Sequence, residues 1–210
     1  GHTGMNALND SGWLEANRVA LGAELAWLRR LLERDAHGGE PRAIEAPADT
    51  APMLDFLCEQ LQLSAFERTL ILLCAGAELD PEWPGLCATA QANAGCDYPS
   101  FGLALAVVPG AHWSALSPQS PLRYWQLLQV SDRAPLTRAR LSLDERILFF
   151  LFGVGTLDKR LAGLARPVAA PASLPASHRQ QVERLRRLLA PSAGDSPVIA
   201  VDGDDPDGAR

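Results

Sequence analysis

The sequence predicts a mainly α fold with one small two-stranded β-hairpin and a long helix at its N-terminus. Three observations indicate this class. Apolar residues recur at helical spacing along most of the chain, the period shortens to that of strands between residues 123 and 143, and helical spacing then returns. With 47% hydrophobic residues among 210, the chain can bury a sizeable core, as one domain or two small ones.

The first element is an amphipathic helix within residues 5–36, clearest over residues 11–35. Residues 1–4 (GHTG) look like the remnant of an expression tag ahead of Met5. Five leucines at spacings of 7, 4, 3 and 4 form an apolar stripe on this helix: Leu14, Leu21, Leu25, Leu28 and Leu32. Either the helix packs along its own domain, or it projects and pairs with a second copy or a partner through these candidate interaction residues.

A linker rich in Gly, Pro and Ala follows at residues 37–50, and helical patterns begin again at residue 51. Ser64 and Glu67 have the spacing of a capping box, which opens a strongly apolar helix. The segment Asp80-Pro81-Glu82 opens the next helix. Ser100 precedes a further helix over residues 101–108.

The change of period predicts strands over residues 123–130 and 138–143, joined by a polar turn at 131–137. Helices followed by such a hairpin are the order of a winged-helix domain, which we place at residues 51–165. The segment starting at Asp144 caps an apolar helix over residues 147–152, and a short helix follows at 156–165.

The C-terminal part consists of a Pro-rich linker at residues 166–175, an amphipathic helix at 176–189 and a buried-type strand at 197–201. Gly203 and Gly208 then have the spacing of a phosphate-binding loop, but Ala209 and Arg210 stand where that loop needs Lys and Ser or Thr. The ending is either an acidic tail or a degenerate phosphate loop of a nucleotide-binding fold. Neither predicts ATP hydrolysis by this chain.

No group of residues has the pattern of a catalytic or metal site. The four cysteines lack C-x₂-C spacing and are predicted to be buried, reduced thiols of a cytoplasmic protein. His112 lies beside Trp113 and Ser114 without an acidic partner placed by sequence, so we predict a packed or capping histidine. Asp144 and Glu145 begin a helix, where capping and the helix dipole explain them.

The acidic balance, −6 at neutral pH, argues against nucleic acid as the partner. No apolar run reaches the roughly 18–20 residues of a membrane-spanning helix. A protein-interaction domain is therefore favoured, and a winged-helix DNA-binding domain is the alternative. The alternative rests on cations and aromatics near the hairpin: Arg123, Tyr124, Trp125, Arg133, Arg138 and Arg140. Against it, the candidate recognition helix at residues 101–108 carries no Lys or Arg.

An ordered series of segments extends this interpretation: LSAFERTLILLCA at 63–75, YPSFGLAL at 98–105, PGAHWSAL at 109–116, PLRYW at 121–125 and LDERIL at 143–148, followed by Gly153. The series resembles the winged-helix region ahead of the ATPase module in bacterial AAA ATPases that accompany extracellular contractile injection systems. The resemblance covers about residues 51–165, over half of the chain.

The resemblance implies that the chain is the N-terminal recognition or regulatory part of a hexameric remodelling ATPase. Such proteins carry one degenerate and one competent ATPase module after this region, which favours a degenerate phosphate loop at Gly203 and Gly208. ATP and magnesium would be cofactors of the parent and not of this fragment. The residues that bind and hydrolyse ATP are expected beyond Arg210, and the implied partner is a protein or the ATPase's substrate.

Overall fold

The computed structural model describes residues 11–36, 44–131, 134–155 and 176–188. The chain divides into two compact units, residues 1–156 and 157–210. The first unit contains these elements in order: α1 (Ser11–Ala36), α2 (Pro52–Leu61), α3 (Ala65–Leu79), α4 (Trp83–Ala90), α5 (Phe101–Val107), a 3-10 turn (Trp113–Leu116), α6 (Pro121–Tyr124), β1 (Leu128–Val130), a second 3-10 turn (Leu136–Arg138), β2 (Leu141–Leu143) and α7 (Glu145–Leu151). The second unit contains α8 (Ala176–Leu188).

Helix α1 packs along α4 and α3 and buries its apolar stripe there. Leu21, Leu28 and Leu32 are at most 2% exposed, and Leu14 and Leu25 are half-buried. Of the two interpretations of the stripe, the structure favours packing along the chain's own domain. Helix α1 is consequently part of the same compact unit as the helices after residue 51.

Helix α3 forms the centre of the core, with residues 70–76 all buried. Its N-terminus has the predicted capping box: Ser64 Oγ accepts a hydrogen bond from the Glu67 amide at 3.2 Å, and Glu67 Oε2 accepts one from the Ser64 amide at 2.9 Å. At its other end the indole of Trp83 lies directly over Gly76. A Cβ at this glycine would be 2.3 Å from Trp83 Cζ2, so only glycine permits this approach.

Two buried polar groups tie α1 to its neighbours. Asn17 is fully buried; its Nδ2 donates to the Leu151 carbonyl at 2.8 Å, and its Oδ1 accepts from the Met53 amide at 3.0 Å. Glu24 is 1% exposed, and its Oε1 accepts from Arg68 Nη2 at 2.7 Å. Both side chains satisfy groups that water cannot reach, so they fix the position of α1 against α2, α3 and α7.

The hairpin is confirmed, but it is shorter than predicted. Strands β1 and β2 pair antiparallel, with Leu128 opposite Leu143 and Val130 opposite Leu141. The segment 123–126, predicted as strand, instead finishes helix α6 and turns at Gln126, whose φ is +54°. Residues 138–140 likewise precede β2, and there Leu141 donates its amide to the Pro99 carbonyl at 2.9 Å. This bond attaches the segment before α5 to the hairpin.

The remaining predictions are borne out in part. Asp144 caps α7 as expected, because its carboxylate accepts from the Arg146 amide at 3.0 Å. Helix α4 begins at Trp83, slightly later than the predicted start at Asp80. Helix α8 matches the predicted amphipathic segment. The predicted short helix at 156–165, the linker at 166–175 and the strand at 197–201 lie outside the described residues. No helix in the described ranges combines the length and apolarity needed to cross a membrane.

Candidate functional site

Exposed aromatic side chains lie in the segments that lead into the hairpin. Trp113 and Tyr124 are each 66% exposed, and Trp125 is 53% exposed. The rings of Tyr124 and Trp125 meet edge to face, with centroids 5.0 Å apart. Large aromatic residues normally bury most of their surface, so three of them exposed around one hairpin indicate a surface that contacts something else.

The local chain geometry explains why these rings face outward. Leu116, Leu122 and Leu127 are at most 3% exposed and anchor the 3-10 turn, α6 and the approach to β1 in the core. Two hydrogen bonds fasten the turn to α6: Ser120 Oγ donates to the Ala115 carbonyl at 3.0 Å, and Arg123 Nη1 donates to the Leu116 carbonyl at 2.8 Å. With the leucines facing inward, the aromatic rings between them are left on the outside.

Arginines accompany the aromatics on the hairpin. The Arg140 guanidinium lies 5.7 Å from the centre of the Tyr98 ring, within range of a cation–π contact. The Tyr98 hydroxyl is 3.3 Å from the Arg138 carbonyl, to which it donates. A hydrogen bond to the Cys96 sulfur raises the pKa of Tyr98 above its usual value, so the phenol stays protonated. We call the following residues together the hairpin surface: Tyr98, Trp113, Arg123, Tyr124, Trp125, Arg138 and Arg140.

Two shallow clefts flank the hairpin. One, of about 280 Å³, lies between the segment after α4 and the second 3-10 turn and is lined in part by Asn93, Cys96 and Arg138. The other, of about 330 Å³, is lined in part by Arg123 and Gln129. Each cleft includes an arginine of the hairpin surface. Neither is deep or apolar enough to enclose a small molecule, so the clefts suit the side chains of a larger partner.

The description "winged helix domain, variant" belongs to a family model that matches residues 15–165. This match covers more than two thirds of the chain and includes α1 together with the hairpin. The chain belongs to this winged helix family. The match confirms the fold class predicted from the sequence, which is a mainly helical winged-helix domain with a two-stranded wing. Neither a curated protein nor a solved structure gives a significant match to the chain.

Within this winged helix domain, His112 has a structural role. Its Nε2 is 2.9 Å from Ser64 Oγ, and its Nδ1 is 2.7 Å from Ser114 Oγ. The Ser64 hydroxyl donates to Glu67 Oε2, which leaves His112 Nε2–H as the donor to Ser64. Ser64 is the N-cap of α3, so the histidine supports a cap, as predicted, and does not act as a base toward a nucleophile.

The cysteines of the winged helix domain are free thiols. Burial raises the pKa of Cys58 to about 11 and that of Cys87 to about 12, and it raises the pKa of fully buried Cys74 further. These thiols therefore stay protonated and unreactive near neutral pH. Among the described residues, no cluster of three or more His, Cys, Asp or Glu side chains could hold a metal ion.

The sequence anticipated part of the hairpin surface. Arg123, Arg138 and Arg140 were singled out together with Tyr124 and Trp125, and the structure places them around one hairpin; Arg133 lies outside the described residues. Tyr98 and Trp113 were missed. The sequence did contain an indication of their exposure, because both aromatic residues lie in segments rich in turn residues, where a core position is rare. Gly203 and Gly208, the candidate phosphate-loop residues, also lie outside the described residues.

Proposed function

We propose that this winged helix domain binds a protein and serves as the N-terminal interaction and regulatory domain of an AAA ATPase. One observation carries the protein-binding part: Trp113, Tyr124 and Trp125, which precede the hairpin, are each more than half exposed, whereas the candidate recognition helix α5 is buried. Phe101, Leu103 and Ala104 of this helix are at most 2% exposed. A domain that buries this helix and exposes Trp and Tyr before the hairpin presents the side chains typical of a protein interface.

The ATPase part rests on the resemblance of residues 51–165 to the region ahead of the ATPase module in AAA ATPases that accompany contractile injection systems. In this proposal the parent binds and hydrolyses ATP with magnesium, assembles as a homo-oligomer in the cytoplasm and remodels a protein. This chain then contributes recognition and no catalysis. Gly203 and Gly208 would belong to a degenerate phosphate loop without the lysine that reaches the nucleotide.

A second candidate function is DNA binding, which Arg138 and Arg140 at one end of the hairpin and the exposed Trp125 before β1 favour. The wing of such domains can contact the phosphate backbone, and aromatics can stack on bases. The burial of α5 weighs against it, because that helix supplies no cation and only Ala106 is exposed along it. Titration of the 210-residue chain with labelled random duplex at low salt separates the two functions. Sub-micromolar, salt-sensitive binding would favour DNA.

The ATPase part has its own experiment. The reading frame downstream of codon 210 should encode a second ATPase module with a lysine-bearing phosphate loop. The full-length protein should then hydrolyse ATP in the presence of magnesium, while the 210-residue chain shows only background turnover. A downstream frame without such a loop, or turnover by this chain alone, would contradict the proposal.

A further inference from the structure

We propose that the hairpin surface binds an acidic segment of the partner protein, one in which carboxylates alternate with apolar side chains. The inference rests on the proposed protein-binding function and adds the chemistry of the partner. Three separate observations support it: the distribution of charge along the chain, the described arginines that form no ion pair, and the exposure of the aromatic side chains.

The stretch that carries Arg138 and Arg140 is basic although the chain is acidic. Residues 133–143 contain three arginines and no acidic residue, which gives +3, while Asp97, Asp132, Asp144 and Glu145 are the acidic residues nearest the hairpin surface in the sequence. The whole chain carries −6, so the residues outside this stretch sum to −6 − 3 = −9. A positive region on a negative protein attracts negatively charged segments, so it favours an acidic partner.

The three described arginines of the hairpin surface are available to a partner. Over the described ranges, Arg123, Arg138 and Arg140 form no ion pair with Asp or Glu, whereas Arg68 and Arg146 each do. Arg123 donates one N–H to the Leu116 carbonyl, and Arg140 lies over the Tyr98 ring, which holds its guanidinium in place. A guanidinium with unused donors in a fixed plane matches a carboxylate, which can accept two parallel hydrogen bonds.

The exposed aromatic residues indicate which side chains separate the carboxylates in the bound segment. Trp113, Tyr124 and Trp125 present broad apolar rings with a polar edge, and such residues together with arginine dominate the binding energy of protein interfaces. Apolar side chains of the bound segment would cover these rings while its carboxylates reach the arginines. A segment with acidic and apolar residues alternating meets both requirements.

Duplex DNA fits the same surface less well. The hairpin surface has three described arginines, Arg123, Arg138 and Arg140, and α5 offers no polar side chain to the base edges. Nucleic-acid affinity depends on neutralising many phosphates, and a chain of net charge −6 opposes it. The acidic peptide is therefore the favoured occupant, and DNA becomes an outcome of the test.

The test uses the 210-residue chain and three fluorescent probes at low salt. They are a short peptide in which Asp and Glu alternate with Leu and Phe, the same peptide with Asn and Gln in place of the acids, and a random DNA duplex. We expect the acidic peptide to bind at least roughly tenfold more tightly than the neutral one, and its affinity to fall as salt is added.

Variants locate the binding. Arg138→Glu/Arg140→Glu should weaken the acidic peptide by roughly tenfold or more, and Arg138→Gln/Arg140→Gln by less. Trp125→Ala should weaken both peptides, because it removes apolar contact. Arg30→Glu is the control: this exposed arginine on α1 undergoes the same charge reversal as each arginine of the double variant and should leave binding unaltered. Circular dichroism melting checks that each variant is folded, and the Gln variant keeps the test valid if charge reversal impairs folding.

Equal binding of the acidic and neutral peptides, an equal effect of Arg30→Glu, or tighter binding of duplex DNA than of the acidic peptide would overturn the inference. Val19 on α1 is 65% exposed and lies outside the hairpin surface, so it offers a second crosslinking position. A photo-crosslinking residue at position 19 or 125 of the full-length protein separates this failure from that of the proposed function. A protein crosslinked from 19 but not from 125 would overturn the acidic-segment inference and leave protein binding standing. No crosslinked protein from either position would defeat both.

Discussion

At the scale of single residues, Gly76 decides how closely α3 and α4 approach. Any side chain there would meet the Trp83 ring, since the nearest ring atom would lie 2.3 Å from a Cβ. The ring is 1% exposed and cannot move aside without disturbing the core. We expect Gly76→Ala to lower the free energy of unfolding by about 1–3 kcal/mol, the usual cost of overpacking. Urea denaturation followed by tryptophan fluorescence measures it.

Gly85→Ala is the matched control for this prediction. Gly85 lies in α4, and a Cβ there would have no atom within 4 Å apart from its own surroundings in the helix. Alanine favours helix over glycine, so this change should be neutral or stabilising by up to about 1 kcal/mol. A similar loss of stability in both variants would show that contact with Trp83 is not the cause.

The buried thiols predict a loss of stability at alkaline pH. In the unfolded chain each thiol titrates near its ordinary pKa of 9.0, whereas burial raises the pKa of Cys58 to about 11 and that of Cys87 to about 12 in the folded state. Folding therefore retains protons that the unfolded chain releases. The free energy of unfolding is therefore unaffected by the ionisation of these thiols below pH 9, and it declines as the pH rises from 9 toward the pKa values of the folded state.

We accordingly expect the urea midpoint of the wild-type chain to fall between pH 9 and pH 11. The Cys58→Ala/Cys87→Ala variant should show a shallower fall over the same interval, even if its stability at pH 7 is lower. Midpoints measured at several pH values test this. An equally steep decline in the variant would assign the pH dependence to other groups.

At the scale of elements, the helices could be predicted from sequence because their signals are local. Ser64 and Glu67 are three residues apart and form the capping box in the structure as well. The strands were overextended because Tyr124 and Trp125 favour strands intrinsically, yet Pro121 suits the first turn of a helix, and the buried Leu122 and Leu127 fix that turn. Tertiary packing overrode the local preference.

Contacts between distant residues lay beyond the sequence. The hairpin surface includes Tyr98 because the bridge between Ser100 and Arg140 brings two segments together, and nothing in the local sequence of either segment indicates this pairing. The same holds for α1: its stripe is equally suited to a partner helix, and only its packing against α4 distinguishes the cases. The composition of the hairpin segment could suggest a surface of arginines and aromatic residues, but it could not identify every residue of that surface.

A buried charged pair attaches α1 to α3, and the loss of one partner is expected to destabilise the protein. Arg68 is paired with Glu24 and also with Asp55, at 2.7 and 2.9 Å. Arg68→Met would leave the Glu24 carboxylate buried without its partner, at an expected cost of about 3–5 kcal/mol. Replacing both, as Arg68→Met/Glu24→Leu, should recover much of this loss because no unpaired charge remains buried.

Chemical denaturation of the two single variants and the double variant measures this coupling. The exposed pair of Arg18 and Glu15 supplies the control, since Arg18→Met should cost less than about 1 kcal/mol. If the double variant were as unstable as the sum of the single ones, the buried pair would not be the link between the two helices.

For the whole molecule, the described core lies entirely within the first unit, and α1 supplies part of it. Ala20, Leu21, Leu28, Leu31 and Leu32 contribute to the same buried cluster as the residues of α3, α4 and α5. Removing residues 1–43 would therefore expose the apolar faces of the remaining helices. We expect this truncated protein to lose its cooperative thermal transition and its near-ultraviolet circular dichroism, while some helical signal remains.

Removal of residues 157–210 is the opposite case. These residues form a separate compact unit, and every residue of the described core precedes them. The chain shortened to residue 156 should keep a cooperative transition at nearly the same temperature, and it should bind the acidic peptide as the full chain does. If the two truncations destabilised the protein alike, α1 would have no special part in the winged helix core, and the separation into two units would fail as well.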